Sequence, residues 1–356
     1  MAGNPHPITG ITGISTTANV SKSAFISYAK SRAILVMQSA TEIRATDLSG
    51  QLRLTLFSTG MEYELDVTDT TTPDNGVTCI RDANGLGFFL IVNRRETLTT
   101  TRNYYVRTDG SDSNSGLINN AGGAFLTIQR AYDIVKDTLD FGGQIVVINV
   151  IAGTYAAGVN VSGGWTGGGS LYFSGDTTTP ANVHINMTTG LASCFYVSAP
   201  LPGTLRIQGF KVSSTVASSS GIRVDTPGLV HVGKMEFGSC TFAHIYINSV
   251  AVWILRVAGG STIVGSALYH VFVGATGSLY SNTLGASLSG TLTFSFFALV
   301  LNAGQIIDQS TPYTGGTITG ARYHAAQNGI INTAGGGANW FPGNAAGSVA
   351  TQGQYL

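Results

Sequence analysis

The chain reads as a mainly β protein, a parallel β-helix of short coils preceded by a small β domain and a capping helix. Three observations carry this reading. The first is a short alternating pattern that returns at CFYV (194), GIRV (221), HIYI (244), HVFV (270) and FFAL (296), at offsets of 27, 23, 26 and 26 residues. Recurrence at a period of 20 to 50 residues marks a solenoid, and alternation of period two marks half-buried strands. Stacked in register, the repeats predict one inward column of Phe195, Ile222, Ile245, Val271 and Phe297 and a second of Val197, Val224, Ile247, Val273 and Leu299.

The second observation is another set of strands with the same period. Leu205, Val230, Leu255 and Leu279 each precede Arg206, His231, Arg256 and Tyr280, at spacings of 25, 25 and 24 residues. The third is a set that follows glycine, at GFKV (209), GKMEF (233), GSTIV (260) and GASL (285). Glycine suits such corners because it reaches backbone angles a side chain would block. Leucine-rich repeats and propeller blades need an Asn-containing consensus or a Trp-Asp signature, and neither is present.

In chain order, residues 1–27 are small and polar with a repeated ITG, and read as an extended N-terminal arm. Residues 28–98 hold AILVM, EIRAT, RLTLF, MEYELDV and VTCI between turn signals such as Thr72-Pro73-Asp74-Asn75-Gly76 and Asn84-Gly85, which predicts a small antiparallel β domain. Its acidic residues Glu42, Asp47, Glu62, Glu64, Asp66 and Asp69 read as a solvated sheet face. Residues 99–143 form a linker and then a helix over Leu126–Asp140, with Leu126, Ala131, Ile134, Val135 and Leu139 near one face and Gly142-Gly143 past its end. A helix at that place covers the open end of a solenoid. The β-helix is expected over residues 144–310, and 311–356 as a C-terminal closing segment.

The order YYVRTDGSDSNSG, an AFLTIQRAYD helix and IVVINVIAGTY, over residues 104–155, resembles the opening of pectate-lyase-like right-handed β-helices in tail fibres and tailspikes of tailed bacteriophages. PDNGVTCIRDANGLGFF, from Pro73 to Phe89, resembles a small domain near the N-termini of such proteins. GIINTAGGGANWFPGNAAGSVATQGQY, from Gly329 to Tyr355, resembles a C-terminal coil and tail of fibre-type members. The resemblance implies a virion component: a homotrimer whose N-terminal part docks to other virion proteins and whose β-helix attaches to a host surface, a bacterial glycan among the possible receptors.

Composition agrees with strands and turns and narrows the partners. Charged residues are 10% of the chain against a usual ~25%, and there are 47 glycines in 356 residues. A mean hydropathy of +0.22 with so few charges implies apolar surface covered by another chain, hence an oligomer. Lys plus Arg and Asp plus Glu are 18 each, so no global field draws the protein to nucleic acid. The stretches AVWILRV (251) and TFSFFALVL (293) fall short of the ~20 residues a spanning helix needs, so no membrane insertion is expected. MAGNPHPITGITG lacks a basic region followed by an apolar one, so export by a signal peptide is not expected; release within a virus particle on lysis is the alternative. Cys79, Cys194 and Cys240 are odd in number and lack CxxC spacing, and read as buried thiols.

Chemistry is harder to place on this chain. Glycoside hydrolysis usually needs two carboxylates roughly 5 to 10 Å apart. After Asp140 the only acids are Asp176, Asp225, Glu236 and Asp308, and none stands one coil from another. Catalytic residues, metal ligands and cofactors are therefore not expected, and the Asp109, Asp112, Asn114 group reads as a hydrogen-bonded turn. A depolymerase with a site between subunits is the runner-up, and a head or baseplate decoration protein a third reading. The more informative residues point outward: Tyr196, Arg223, Tyr246 and Phe272 on one strand column, and Arg206, His231, Arg256 and Tyr280 on the next. Rings with polar edges beside forked Arg donors suit subunit packing or receptor binding. Subunit packing leads at this stage, because Phe272 and Phe296 on exterior positions need cover.

Overall fold

A computed structural model describes residues 35–37, 39–48, 53–56, 61–66, 69, 71–75, 79–90, 95–248, 252–256, 260–281, 286–309 and 313–356. The expected arm, 1–27, lies outside them, as do the side chains of Glu62, Glu64, Asp66 and Arg256. Two compact units divide the chain at Arg95 and Glu96.

The larger unit is a parallel β-solenoid of about 7 turns. Each full coil contributes strands to three columns, and coils stack by parallel pairing throughout. One column runs through Ile145–Val150, Ser170–Ser174, Thr204–Gln208, Gly228–Gly233, Val252–Arg256, Ser278–Ser281 and Gln305–Asp308. The next takes in Val183–Met187, Lys211–Ser214, Glu236–Cys240 and Thr262–Ile263; the third takes Ser193–Val197, Ser220–Val224, Ala243–Asn248 and Tyr269–Gly274. The 14-residue strand Ser287–Val300 joins the last two columns by pairing with both Thr262–Ile263 and Tyr269–Gly274.

The predicted inward columns hold for four coils. Phe195, Ile222, Ile245 and Val271 pair in line, as do Val197, Val224, Ile247 and Val273, and all are buried. In the fifth coil the register differs by one residue from expectation: Val271 meets Ala298 and Val273 meets Val300. Phe297 instead falls in line with His270. A one-residue slip exchanges the faces of a strand, and FFALV is apolar at every position, so alternation cannot set its phase. The same cause displaces the other set, where Val230 pairs with Ile254 and not Leu255 inside the apolar run AVWILRV.

The ladder extends beyond the predicted limits in both directions. Arg102–Val106 already pairs in parallel with Ile145–Val150, and Thr314–Ala325, Ile330–Asn332, Ser348–Val349 and Gln354–Tyr355 continue the columns toward the C-terminus. Phe341 from the last segment is buried, with its ring 6.2 Å from Phe297 and 6.1 Å from Tyr313.

The capping helix spans Ile128–Thr138, shorter than predicted. Thr127 is its N-cap, and its Oγ1 accepts from Arg130 N at 3.1 Å. Asp112 accepts from Leu126 N, Thr127 N and Thr127 Oγ1 at 2.8–3.0 Å, so the Asp109–Asn114 turn fastens the helix start. The buried face is Ile128, Ala131, Tyr132 and Val135, whereas Leu126 is 42% exposed because it precedes the cap. One corner shows why glycine recurs: at Gly209, φ is +76° and an added Cβ would lie 2.8 Å from backbone carbons of Gly175 and Asp176. One coil later the corresponding left-handed corner is Lys234, so the corner is not reserved for glycine.

In the N-terminal unit five strands lie in the order Leu35–Met37, Arg53–Leu56, Met61–Asp66, Gly87–Leu90, Cys79–Arg81. The last three pairings are antiparallel as expected, but the first is parallel. A parallel pair needs a crossover, and the helix Ala40–Arg44, capped by Ser39, lies within it. EIRAT had read as a strand because its alternation is as short as the helix itself. Met37, Ile43, Leu48, Tyr63, Ile80 and Phe88 form a core of this unit.

Candidate functional site

The outward residues of the third column form a continuous ladder. Parallel register places Tyr196 beside Arg223, Arg223 beside Tyr246, and Tyr246 beside Phe272. The Arg223 guanidinium carbon lies 5.2 Å from the Tyr196 ring centroid and 5.1 Å from that of Tyr246, so the cation bridges two rings on successive coils. Two residues on, and therefore on the same face, Asp225 accepts from Arg223 Nε at 2.9 Å and from the Tyr196 hydroxyl at 3.0 Å. The Asp225 hydrogen bond holds the Arg223 guanidinium above its usual pKa, and burial followed by Asp225 raises the Tyr196 hydroxyl.

Aromatic rings extend the ladder. Tyr246 and Phe272 stack at 4.9 Å and 23°. Phe242, at the turn before its strand, sets its ring 5.1 Å from Tyr246, 5.4 Å from Tyr269 and 5.8 Å from Phe272. Tyr269 pairs with Phe296, whose ring lies 5.2 Å from His324. Phe272 and Phe296 are thus half-buried by their own neighbours, and neither is among the exposed large apolar side chains. Sequence reasoning found Tyr196, Arg223, Tyr246 and Phe272 but missed Phe242 and Tyr269 as ladder members, and treated Asp225 only as a possible acid. The i, i+2 spacing of Arg223 and Asp225 was the available signal.

The second predicted column is only partly assembled. Arg206 pairs with His231, and its guanidinium carbon stands 4.8 Å above the Tyr172 ring, a member sequence reasoning overlooked. The next place in line belongs to Leu255, followed by Tyr280. Arg256 is excluded: it pairs with Val232, one residue out of phase with the column, through the slip described above. His231 has its pKa lowered by burial and by neighbouring Arg206.

The acids after Asp140 are each engaged. Asp176 accepts from Thr178 N, Thr179 N and Asn182, Glu236 pairs with Lys211 Nζ at 2.8 Å, and buried Asp308 accepts from the Tyr313 hydroxyl at 2.9 Å. Asp225 is held by Arg223. A cavity of about 250 Å³ lies beside the start of the capping helix, lined by Thr108, Leu126, Ile128 and Tyr155 among others, with no acid, histidine or cysteine in its wall. Among the described residues no group of three His, Cys, Asp or Glu could hold a metal ion. The arrangement can stack against flat apolar faces and donate hydrogen bonds; it offers no paired free carboxylates for acid–base work. No protein-family model, no curated protein and no solved structure matches the chain.

Proposed function

We propose that this chain is an adhesive fibre or spike subunit of a tailed bacteriophage, carried on the virion and assembled as a homotrimer. In this reading the solenoid is a right-handed, pectate-lyase-like shaft, the N-terminal unit docks to other virion proteins, and the Tyr196–Arg223–Tyr246–Phe272 ladder contacts a glycan of the bacterial surface. The ladder is the observation that supports it. Rings stacked across successive coils cover one another's faces and present a row of apolar edges at the strand spacing of ~4.8 Å, against which sugar C–H groups pack, while Arg223 and Asp225 supply hydrogen bonds for hydroxyls. Contact and support suit this surface better than bond cleavage, since each acid of the solenoid coils is held by a cation or by hydrogen bonds.

Binding of purified protein to host cells, and its competition with phage adsorption, tests this reading. Tyr246→Ala should weaken cell binding about tenfold with the fold retained by circular dichroism; unchanged binding would remove the ladder as the contact. Release of reducing ends or unsaturated sugars from host polysaccharide would overturn the non-enzymatic assignment. Absence of any cell binding by the wild type would favour a decoration protein.

A further inference from the structure

The geometry points to an activity beyond attachment: Ser213 and His184 form a nucleophile–base pair for hydrolysing small acyl esters, with O-acetyl groups on a glycan as the substrate class. It depends on the attachment reading only for the source of that glycan. The two residues stand on adjacent strands, Val183–Met187 and Lys211–Ser214. Register pairs His184 with Lys211 and Asn186 with Ser213, so all four side chains leave the same face. The imidazole reaches past its own partner, and its Nε2 lies 2.7 Å from Ser213 Oγ. Asn186 Oδ1 lies 2.9 Å from the same oxygen. The serine proton therefore has two acceptors in reach, Asn186 Oδ1 and, in the tautomer protonated at Nδ1, His184 Nε2. A nucleophile and a base at hydrogen-bond distance are what acyl transfer requires. Burial, with a smaller contribution from Lys211 and against Glu236, lowers the His184 pKa and keeps the ring in its basic form at neutral pH.

Two further features open this place to a ligand. The ladder bulges opposite Ser213: Val212 pairs with Phe237 and Ser214 with Cys240, so Gly238 and exposed Ser239 face a single residue. A Cβ added at Gly238 would come within 3.1 Å of Ser213 Cβ, so glycine keeps the space beside the serine clear. On the other side His184 pairs with exposed Thr154, which lines the 250 Å³ cavity together with Ala156 and Ala157. That wall is one strand spacing, ~4.8 Å, from the histidine and can seat the sugar whose ester reaches Ser213. In the first step Ser213 Oγ bonds to the carbonyl carbon while His184 takes its proton; the C–O bond to the sugar breaks, and the sugar hydroxyl leaves with that proton. Water, giving a proton to His184, then attacks the acyl carbon; the bond to Ser213 breaks, the serine regains a proton from His184, and acetic acid leaves. The amide of Asn186 and the Lys211 ammonium are the donors on this face for the oxyanion. His324 Nδ1 and Ser348 Oγ also lie 2.8 Å apart, but as simple register partners without a bulge, and serve as an internal control.

A fluorophosphonate probe bonds to serine where a base activates it. Added to the full-length protein it should label Ser213 and not Ser348, as read by peptide mass. Hydrolysis of p-nitrophenyl acetate should follow one ionisation below pH 6.5, with the deprotonated form active. Ser213→Ala should abolish labelling and turnover, and His184→Gln should lower turnover about a hundredfold, with circular dichroism unchanged in both. Absent labelling, equal labelling of Ser348, or turnover retained by Ser213→Ala would each overturn the site. Acetylated host polysaccharide should release acetate without new reducing ends, and no release would overturn the glycan ester as the substrate class. Loss of this activity with cell binding intact leaves the attachment reading standing, whereas ester turnover in a protein that binds no cells removes that reading alone.

Discussion

Acid should loosen the middle of the solenoid through His244, and the size of the effect follows from where that ring lies. His244 and His270 are fully buried, with their Nδ1 atoms 3.0 Å apart, so one ring donates there and the other accepts. Phe237 stacks on His244 at 5.3 Å and Phe294 meets it edge-on at 5.5 Å. Burial lowers the His244 pKa from 6.5 to about 3, against a smaller upward contribution from the Gly238 backbone. Between these values the unfolded chain takes up a proton that the folded one refuses, so stability is full above pH 6.5 and falls as pH drops toward 3. Each pH unit below 6.5 corresponds to about 1.4 kcal/mol, or about 2.7 kcal/mol at pH 4.5.

Urea unfolding at pH 7.5, 6.5, 5.5 and 4.5, combined with amide hydrogen exchange in coil 243–274, measures this. His184 and His231 are also lowered, chiefly by burial, and add to the slope with the same sign. His244→Phe isolates the buried ring, because phenylalanine suits a site already lined by Phe237 and Phe294. The variant should lose about one proton of the pH dependence between 6.5 and 4.5. A flat wild-type profile over that range, or an unchanged slope in the variant, would refute the argument.

Three further outcomes are expected. Phe297→Ala removes a fully buried ring packed among His270, Phe294 and Tyr313 and should cost about 3–5 kcal/mol in urea unfolding, where a loss under 1 kcal/mol would contradict the packing. Thr127→Ala deletes the helix cap and one Asp112 hydrogen bond and should cost about 0.5–2 kcal/mol, read as a lower thermal midpoint. Cys194 and Cys240 are buried with thiol pKa values pushed up, that of Cys240 to about 12, so both should resist a thiol reagent at pH 8 until denaturant is added; prompt labelling of the folded protein would contradict their burial.

How much was legible depended on how sharply polar and apolar residues alternate. CFYV, GIRV and HIYI have Tyr or Arg between two apolar residues and HVFV follows them at the same period, so their inward and outward sets could be assigned and the Tyr196–Phe272 ladder followed. FFALV and VWILR carry no such contrast, and there the register slipped by one residue, taking Arg256 out of its column. Phe242 was missed because it lies at a turn, where neither periodicity applies. The His244–His270 contact was missed for a related reason: these rings sit at a corner where consecutive residues face inward, and the strand rule assigns them to the outside.

The sequence by itself determined the solenoid, its coil length of about 25 residues with two or three strands per coil, and the helix at its start, because each depends on local alternation and on a repeat that only stacking can bury. Tertiary structure alone decided which rings are covered, which charges are matched and where the phase changes. Those outcomes arise between coils some 25 residues apart, where a side chain's neighbours are set by turn geometry. Arg206 and Arg223 make the distinction concrete: alike in the sequence as outward cations beside aromatic rings, they part company because Asp225 lies within reach of Arg223, whereas Arg206 Nε has no hydrogen-bond partner among the described residues.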